Sequence, residues 1–144
     1  MSFTSDQEAE SKWWGTCQNT YGEETKQLVY AKYMKLVPTH DGNSPYSFDM
    51  EGKTVLDIGG GPCSMLLKCR NLKSGYVIDP CSYPLWVSLR YSMAKIKYAR
   101  CNGEDVGEFK VDEVWIYNVL QHCKDPKKII QRATESAPVL RIFE

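Results

Sequence analysis

The chain has 144 residues, 42% hydrophobic and 25% charged, with 18 basic and 18 acidic side chains that cancel to zero formal charge. That length suits one domain able to bury a core, and zero net charge removes any global pull toward polynucleotides or anionic membranes. No apolar run approaches the ~18 residues of a membrane span, the stretch MSFTSDQEAESKWW is acidic and polar rather than a leader, and six cysteines without a C-x-x-C pair argue against a zinc site and for a reducing, cytoplasmic setting.

Residues 5 to 37 read as helical, with Leu28, Ala31, Tyr33, Met34 and Leu36 at amphipathic spacing and Pro38 as the stop. Residues 38 to 50 are dense in turn formers and read as a loop. Residues 1–50 are therefore expected to be a helical extension and 51–144 the core. In the core, Lys53 to Ile58 is a short apolar strand. A helix is predicted from Pro62 to about Leu72, with Pro62 in the first turn, where its missing N–H costs nothing. Tyr76 to Asp79 is a second strand, and Ser82 to Lys95 a helix carrying Leu85, Trp86, Leu89 and Met93. Ile96 to Arg100 is a third strand and Glu113 to Val119 a fourth. Asp125-Pro126 opens a helix to about Ser136 with Ile129 and Ile130 inward, and Val139 to Phe143 is a fifth strand. Lys124, Lys127, Lys128 and Arg132 read as a solvated face. Alternating strand and helix predicts a parallel sheet covered on both faces, with ligands beyond the carboxyl ends of its strands.

The first core strand runs into Asp57-Ile58-Gly59-Gly60-Gly61-Pro62. Glycines there allow a sharp turn and close approach of a ligand, and the predicted helix would offer unpaired N–H groups. Against a dinucleotide turn G-x-G-x-x-G or A, Gly59, Gly61 and Ser64 match only loosely, and fifty residues precede the strand. Against D-x-G-x-G, Asp57 supplies the acid. A carboxylate there suits a cationic ligand and opposes a pyrophosphate.

On these residues the sequence resembles the class I S-adenosylmethionine-dependent methyltransferases over about residues 50 to 144. Val55-Leu-Asp-Ile-Gly-Gly-Gly-Pro resembles the family's first motif and Val77-Ile-Asp-Pro its second. The resemblance implies a Rossmann-like three-layer α/β sandwich with a mainly parallel sheet behind the N-terminal helical extension. It implies S-adenosylmethionine, with its ammonium and sulfonium, as the cofactor. Asp57, Gly59, Gly60 and Gly61 would form the turn, and Asp79 with Pro80 the end of strand two, where the acid accepts from the ribose hydroxyls. Glu104 or Asp105 would meet the adenine amino group, and Asn118 would lie beside the cofactor with Leu120 to His122 lining the site. No metal is implied. His122 is the one candidate general base, against the plainer reading of a surface loop histidine; His40 is a weaker candidate. Trp13, Trp14 and Tyr21 read equally as packing for the extension or as a lid, and Trp86 and Trp115 as core.

The implied activity is methyl transfer, in which the enzyme chiefly aligns its partners and excludes water. The strand-four tip reads Asn118-Val-Leu-Gln, without the Pro-Pro-Tyr/Phe of enzymes that methylate DNA adenine. A small-molecule O or N acceptor is expected, not nucleic acid. A cofactor-holding or protein-interaction module without methyl transfer is the alternative; a nicotinamide oxidoreductase is disfavoured by Asp57. The family core has seven strands and this sequence stops after the fifth. It is therefore expected to be a truncated frame, with strand five an open edge that invites pairing with a second copy.

Overall fold

The computed structural model describes residues 3–16, 23–40 and 46–144. In chain order its elements are α1 (Phe3–Trp14), α2 (Glu23–Tyr33), β1 (Pro38–Thr39), β2 (Ser47–Asp49), β3 (Thr54–Ile58), β4 (Cys69–Arg70), β5 (Ser74–Asp79), α3 (Leu85–Met93), β6 (Ile96–Arg100), β7 (Glu113–Tyr117), α4 (Pro126–Ser136) and β8 (Val139–Phe143). Five strands form one parallel sheet in the order β6-β5-β3-β7-β8, with Asp57 opposite both Val77 and Trp115. Central β3 is covered on both faces, and the alternation of strand side chains sorts them into two cores. Val55, Val77, Trp115 and Tyr117 face Met34, Met65, Val87 and Tyr91. Leu56, Ile58, Ile78, Val114 and Ile116 face Val106, Ile129 and Ala133. This is the expected α/β layering. All five core strands occur within two residues of their predicted bounds, and β6 and β8 are the sheet edges.

The helix predicted from Pro62 to Leu72 does not form. Met65–Lys68 is a single 3-10 turn capped by the Ser64 side chain, and the chain is extended from Cys69 onward. The cause is non-local. Cys69 and Arg70 pair in parallel with Phe48 and Asp49, and Met50 and Gly52 donate to the carbonyls of Arg70 and Asn71. The segment read as a loop, 38–50, supplies these partners: β1 and β2 pair antiparallel, and β2 carries β4. Too few residues then remain after Gly61 to nucleate a stable α-helix.

The N-terminal segment is two helices rather than one. Lys35, at φ 58°, ends α2 before Pro38 is reached. Leu36 N–H donates to the Ala31 carbonyl and Lys35 N–H to that of Lys32, the two bonds of a Schellman motif. Arg141 Nη1 donates to the Met34 carbonyl at 2.8 Å, and its guanidinium also pairs with both oxygens of buried Glu113. One arginine of β8 thus ties the end of α2 to the base of the sheet. The inward face of α2 is Gln27, Ala31 and Met34; Leu28 and Tyr33 lie outward.

Two other faces were misassigned. In α3, Val87 and Tyr91 are buried, while Leu85, Trp86, Leu89 and Met93 are the exposed side. Trp86 is capped by the Arg90 guanidinium, 4.5 Å from its ring centre, and is not core; Trp115 is fully buried, as expected. In α4 Ile129, Ala133 and Ser136 are buried, and Ile130 is exposed. Among the described residues no helix is long and apolar enough to cross a membrane.

Candidate functional site

The glycine turn is held from below by an all-buried network. Asp57 shares the sheet face of Val55, so its carboxyl lies under the turn. The Ser64 and Tyr117 hydroxyls both donate to its Oδ2. Ser64 N–H donates to Tyr91 Oη, Met65 N–H to Tyr117 Oη, and Leu66 N–H to Ser64 Oγ. The Tyr91 hydroxyl in turn donates to the Gly61 carbonyl at 2.6 Å. The N–H groups that a helix would aim at a ligand are therefore spent on side chains of the core. Burial pushes the Asp57 carboxyl up to about 7, against the lowering effect of the Ser64 and Tyr117 hydrogen bonds.

Two of the three glycines are needed for packing. A methyl group on Gly60 would lie 2.7 Å from Asp57 Oδ2 and 2.8 Å from Val77, and one on Gly59, at φ 76°, would lie 2.6 Å from Val119. Gly61 differs. Its nearest neighbours on the methyl side are Tyr83 Oη at 3.8 Å and Trp14 at 3.9 Å, so it opens into a cavity at the carboxyl ends of the strands.

That cavity is walled by the glycine turn, the ends of β5 and β7, and one face of α1. Asp79 is buried at its floor. Its Oδ1 accepts from Cys81 N–H and Tyr83 Oη, and its Oδ2 from Gly61 N–H at 3.1 Å. Burial raises its pKa even against these three donors and the Cys81 thiol, which bonds the same carboxyl. Glu104 lines the cavity and fixes the start of α4 by accepting from Asp125 N–H at 3.0 Å. Glu10 Oε1 faces His122 Nε2 at 3.5 Å, and Glu10 Oε2 accepts from Trp14 Nε1 at 3.1 Å. Among the described residues five carboxylates line the cavity, those of Asp6, Glu10, Glu23, Asp79 and Glu104, and no lysine or arginine does.

Of the residues singled out in sequence, Gly59, Gly60, Gly61, Asp79, Pro80, Glu104, Asn118 and His122 meet around this cavity. Asp57 does not line it. Asp105 is exposed, accepts from Asn102 Nδ2, and also stays outside. Asn118 adopts a left-handed backbone, φ 54°, and accepts from Gln121. Leu120 packs into the core beneath rather than lining the site. Trp14 lines the cavity, while neighbouring Trp13 is exposed with Lys26 over its ring. Tyr21 lies outside the described residues. The α1 and α2 acids had no signal in sequence, because only the placement of those helices brings them to the turn. Among the described residues no group of side chains is arranged to hold a metal ion.

No protein-family model and no curated protein matches the sequence. Solved structures do match by shape. A methyltransferase of Haloferax volcanii, bound to the Trm112 methyltransferase activator, superposes with a TM-score of 0.62 at 18% identity, over 86% of this chain and 54% of that one. Magnesium protoporphyrin IX methyltransferase of Synechocystis, solved with bound S-adenosylmethionine, gives 0.60 at 16% identity over 94% and 74%. The cyclase SpnF gives 0.55 at 12% identity over 78% and 40%. The chain spans about half the length of the Haloferax protein. It has the Rossmann-like fold of the class I S-adenosylmethionine-dependent methyltransferases.

Proposed function

We propose that this chain binds S-adenosylmethionine and serves methyl transfer to an O or N atom of a small molecule. The observation that carries the reading is the charge of the cavity: among the described residues, five carboxylates and no lysine or arginine around the glycine turn. A pyrophosphate cofactor would meet like charge there, and would find the N–H groups after the turn already engaged. A nucleoside bearing an ammonium and a sulfonium meets the opposite charge.

In this reading Asp79 accepts from the ribose hydroxyls, and Glu104 meets the adenine amino group. Gly61 leaves room for the ligand, and α1 excludes water from it. The bound cofactor supplies a methyl group already activated on sulfur. Where the acceptor must lose a proton, His122 takes it and Glu10 stabilises the imidazolium. A second copy would pair along β8, an edge of the described sheet.

A second reading, a cofactor-holding or interaction module without chemistry, is favoured by the single 3-10 turn that stands where the first crossover helix is expected. Calorimetric titration with S-adenosylmethionine, with NAD as comparator and Asp79→Ala as control, tests the cofactor. Selective binding weakened at least tenfold by the substitution is expected. Equal binding of NAD, or no binding to a folded chain, would reject it. An acceptor screen for S-adenosylhomocysteine formation then separates enzyme from module.

A further inference from the structure

The two sides of the cavity differ in kind. The floor, with Asp79, Glu104 and the glycine turn, is accounted for by the cofactor reading, on which this inference rests. The wall made by α1 is not. Along α1 the half-buried residues that reach the cavity are Asp6, Gln7, Glu10 and Trp14, while Glu8, Ala9, Ser11, Lys12 and Trp13 are exposed. The inward stripe of a packed helix is normally apolar. Here it is acidic and amide-bearing, ending in one indole ring.

Three further observations show that this wall is not satisfied by the protein itself. Asp6 makes no hydrogen bond or ion pair among the described residues. Gln7 Nε2 is buried and has no hydrogen-bond partner among the described residues, a donor that costs about 1–3 kcal/mol and that only an acceptor, not the ammonium itself, could satisfy. Glu23 is neutralised by Lys26 at 3.0 Å, but four carboxylates remain in the lining, and the cofactor brings only one net positive charge. Trp14 uses its Nε1 on Glu10, which leaves the ring face as its contribution to the cavity, and Tyr30 lines the same space. Carboxylates beside aromatic rings are the donor set that recognises an organic cation.

We propose that the second ligand of this cavity is an organic ammonium, a protonated or quaternary amine, bound by Asp6 and Glu10 against Trp14 and Tyr30. The small-molecule acceptor is thus an amine-bearing cation rather than a neutral alcohol or a carboxylic acid.

The test uses the full chain and three probes of one shape: 2-phenylethylamine, 2-phenylethanol and phenylacetate. Each is titrated by ligand-observed NMR, with and without saturating S-adenosylhomocysteine. The amine is expected to bind at least tenfold more tightly than the alcohol, with phenylacetate weakest. Asp6→Asn and Glu10→Gln should each weaken the amine severalfold, and Glu8→Gln, on the exposed side of the same helix, should not. Circular dichroism checks that each variant is folded. Equal binding of amine and alcohol, no binding of the amine, or amine binding that survives Asp6→Asn and Glu10→Gln together would overturn the proposal. The homocysteine titration reports on the cofactor reading separately. If S-adenosylhomocysteine fails to bind while the amine binds selectively, the cofactor reading falls and the ammonium site stands. If S-adenosylhomocysteine binds and the amine does not, only the ammonium site falls.

Discussion

Tyr117 Oη lies 2.6 Å from Asp57 Oδ2, so a hydroxyl from β7 and that of Ser64 converge on one oxygen of a carboxyl that solvent does not reach. The other oxygen has no partner among the described residues. Burial places this acid at about 7, against 3.8 for a free aspartate. Between those values the folded chain keeps a proton that the unfolded chain has lost. Stability therefore falls as pH rises from about 4 to 7, by on the order of 4 kcal/mol, and then levels off. Asp57→Asn preserves an acceptor for both hydroxyls and cannot ionise. Urea midpoints measured from pH 5 to 8 should fall for the natural chain and stay much flatter for the variant, with buried Asp79 supplying the slope that remains. A variant with an undiminished slope would show that Asp57 is not the group being titrated.

Glu113 gives the opposite trend at lower pH. Its burial acts to raise it, but hydrogen bonds from Arg141, Trp115 and Lys53 and the charge of Arg141 hold it down to about 2. Its ionised form stabilises the fold above the free value of 4.5, and that stability is lost as pH falls from 4.5 toward 2. Glu113→Gln leaves the Arg141 guanidinium half-buried without its counter-charge. It should cost about 3 kcal/mol near pH 7 and progressively less below pH 4, read as the difference in unfolding free energy between the two proteins.

The core strands were legible because each is a short apolar or β-branched run between turn formers, and Asp79 was legible because a strand end in a parallel sheet is where ligands sit. The missed crossover helix was not. Its competitor is Phe48-Asp49, some twenty residues earlier, and local propensity carries no information about that pairing. In α3 the sequence holds two helical stripes, Leu85/Trp86/Leu89/Met93 and Val87/Tyr91. The second is buried because the Tyr91 hydroxyl has partners at Gly61 and Ser64, which spacing alone cannot reveal. Asp57 was found at the right place in the motif, but the period of two turns it toward the core rather than the cavity. The charge argument drawn from it now rests on Asp6, Glu10, Asp79 and Glu104.

Gly59 carries both a steric and a conformational demand. At φ 76° an alanine is strained by about 1 kcal/mol, and its methyl group would overlap Val119 at 2.6 Å. Gly59→Ala should destabilise the chain by about 2–4 kcal/mol. Adding Val119→Ala removes the overlap and not the backbone strain, so the double variant should recover only part of the loss. Full recovery in chemical denaturation would mean that the left-handed backbone costs nothing there.

The two tryptophans of α1 separate the lid reading from simple packing. Trp14 faces Gly61 across the cavity and anchors Glu10 through its Nε1; Trp13, its neighbour, is 59% exposed on the other side of the helix. If α1 covers the bound cofactor, Trp14→Ala should weaken S-adenosylmethionine binding by roughly tenfold, the loss of about 1.4 kcal/mol of contact, and Trp13→Ala should leave it unchanged. If Trp14 only packs, both variants should bind the cofactor alike, and the cost of Trp14→Ala should appear in the melting temperature alone. Calorimetry and thermal unfolding on the same two proteins distinguish these outcomes, because a ring that touches the ligand must move the dissociation constant.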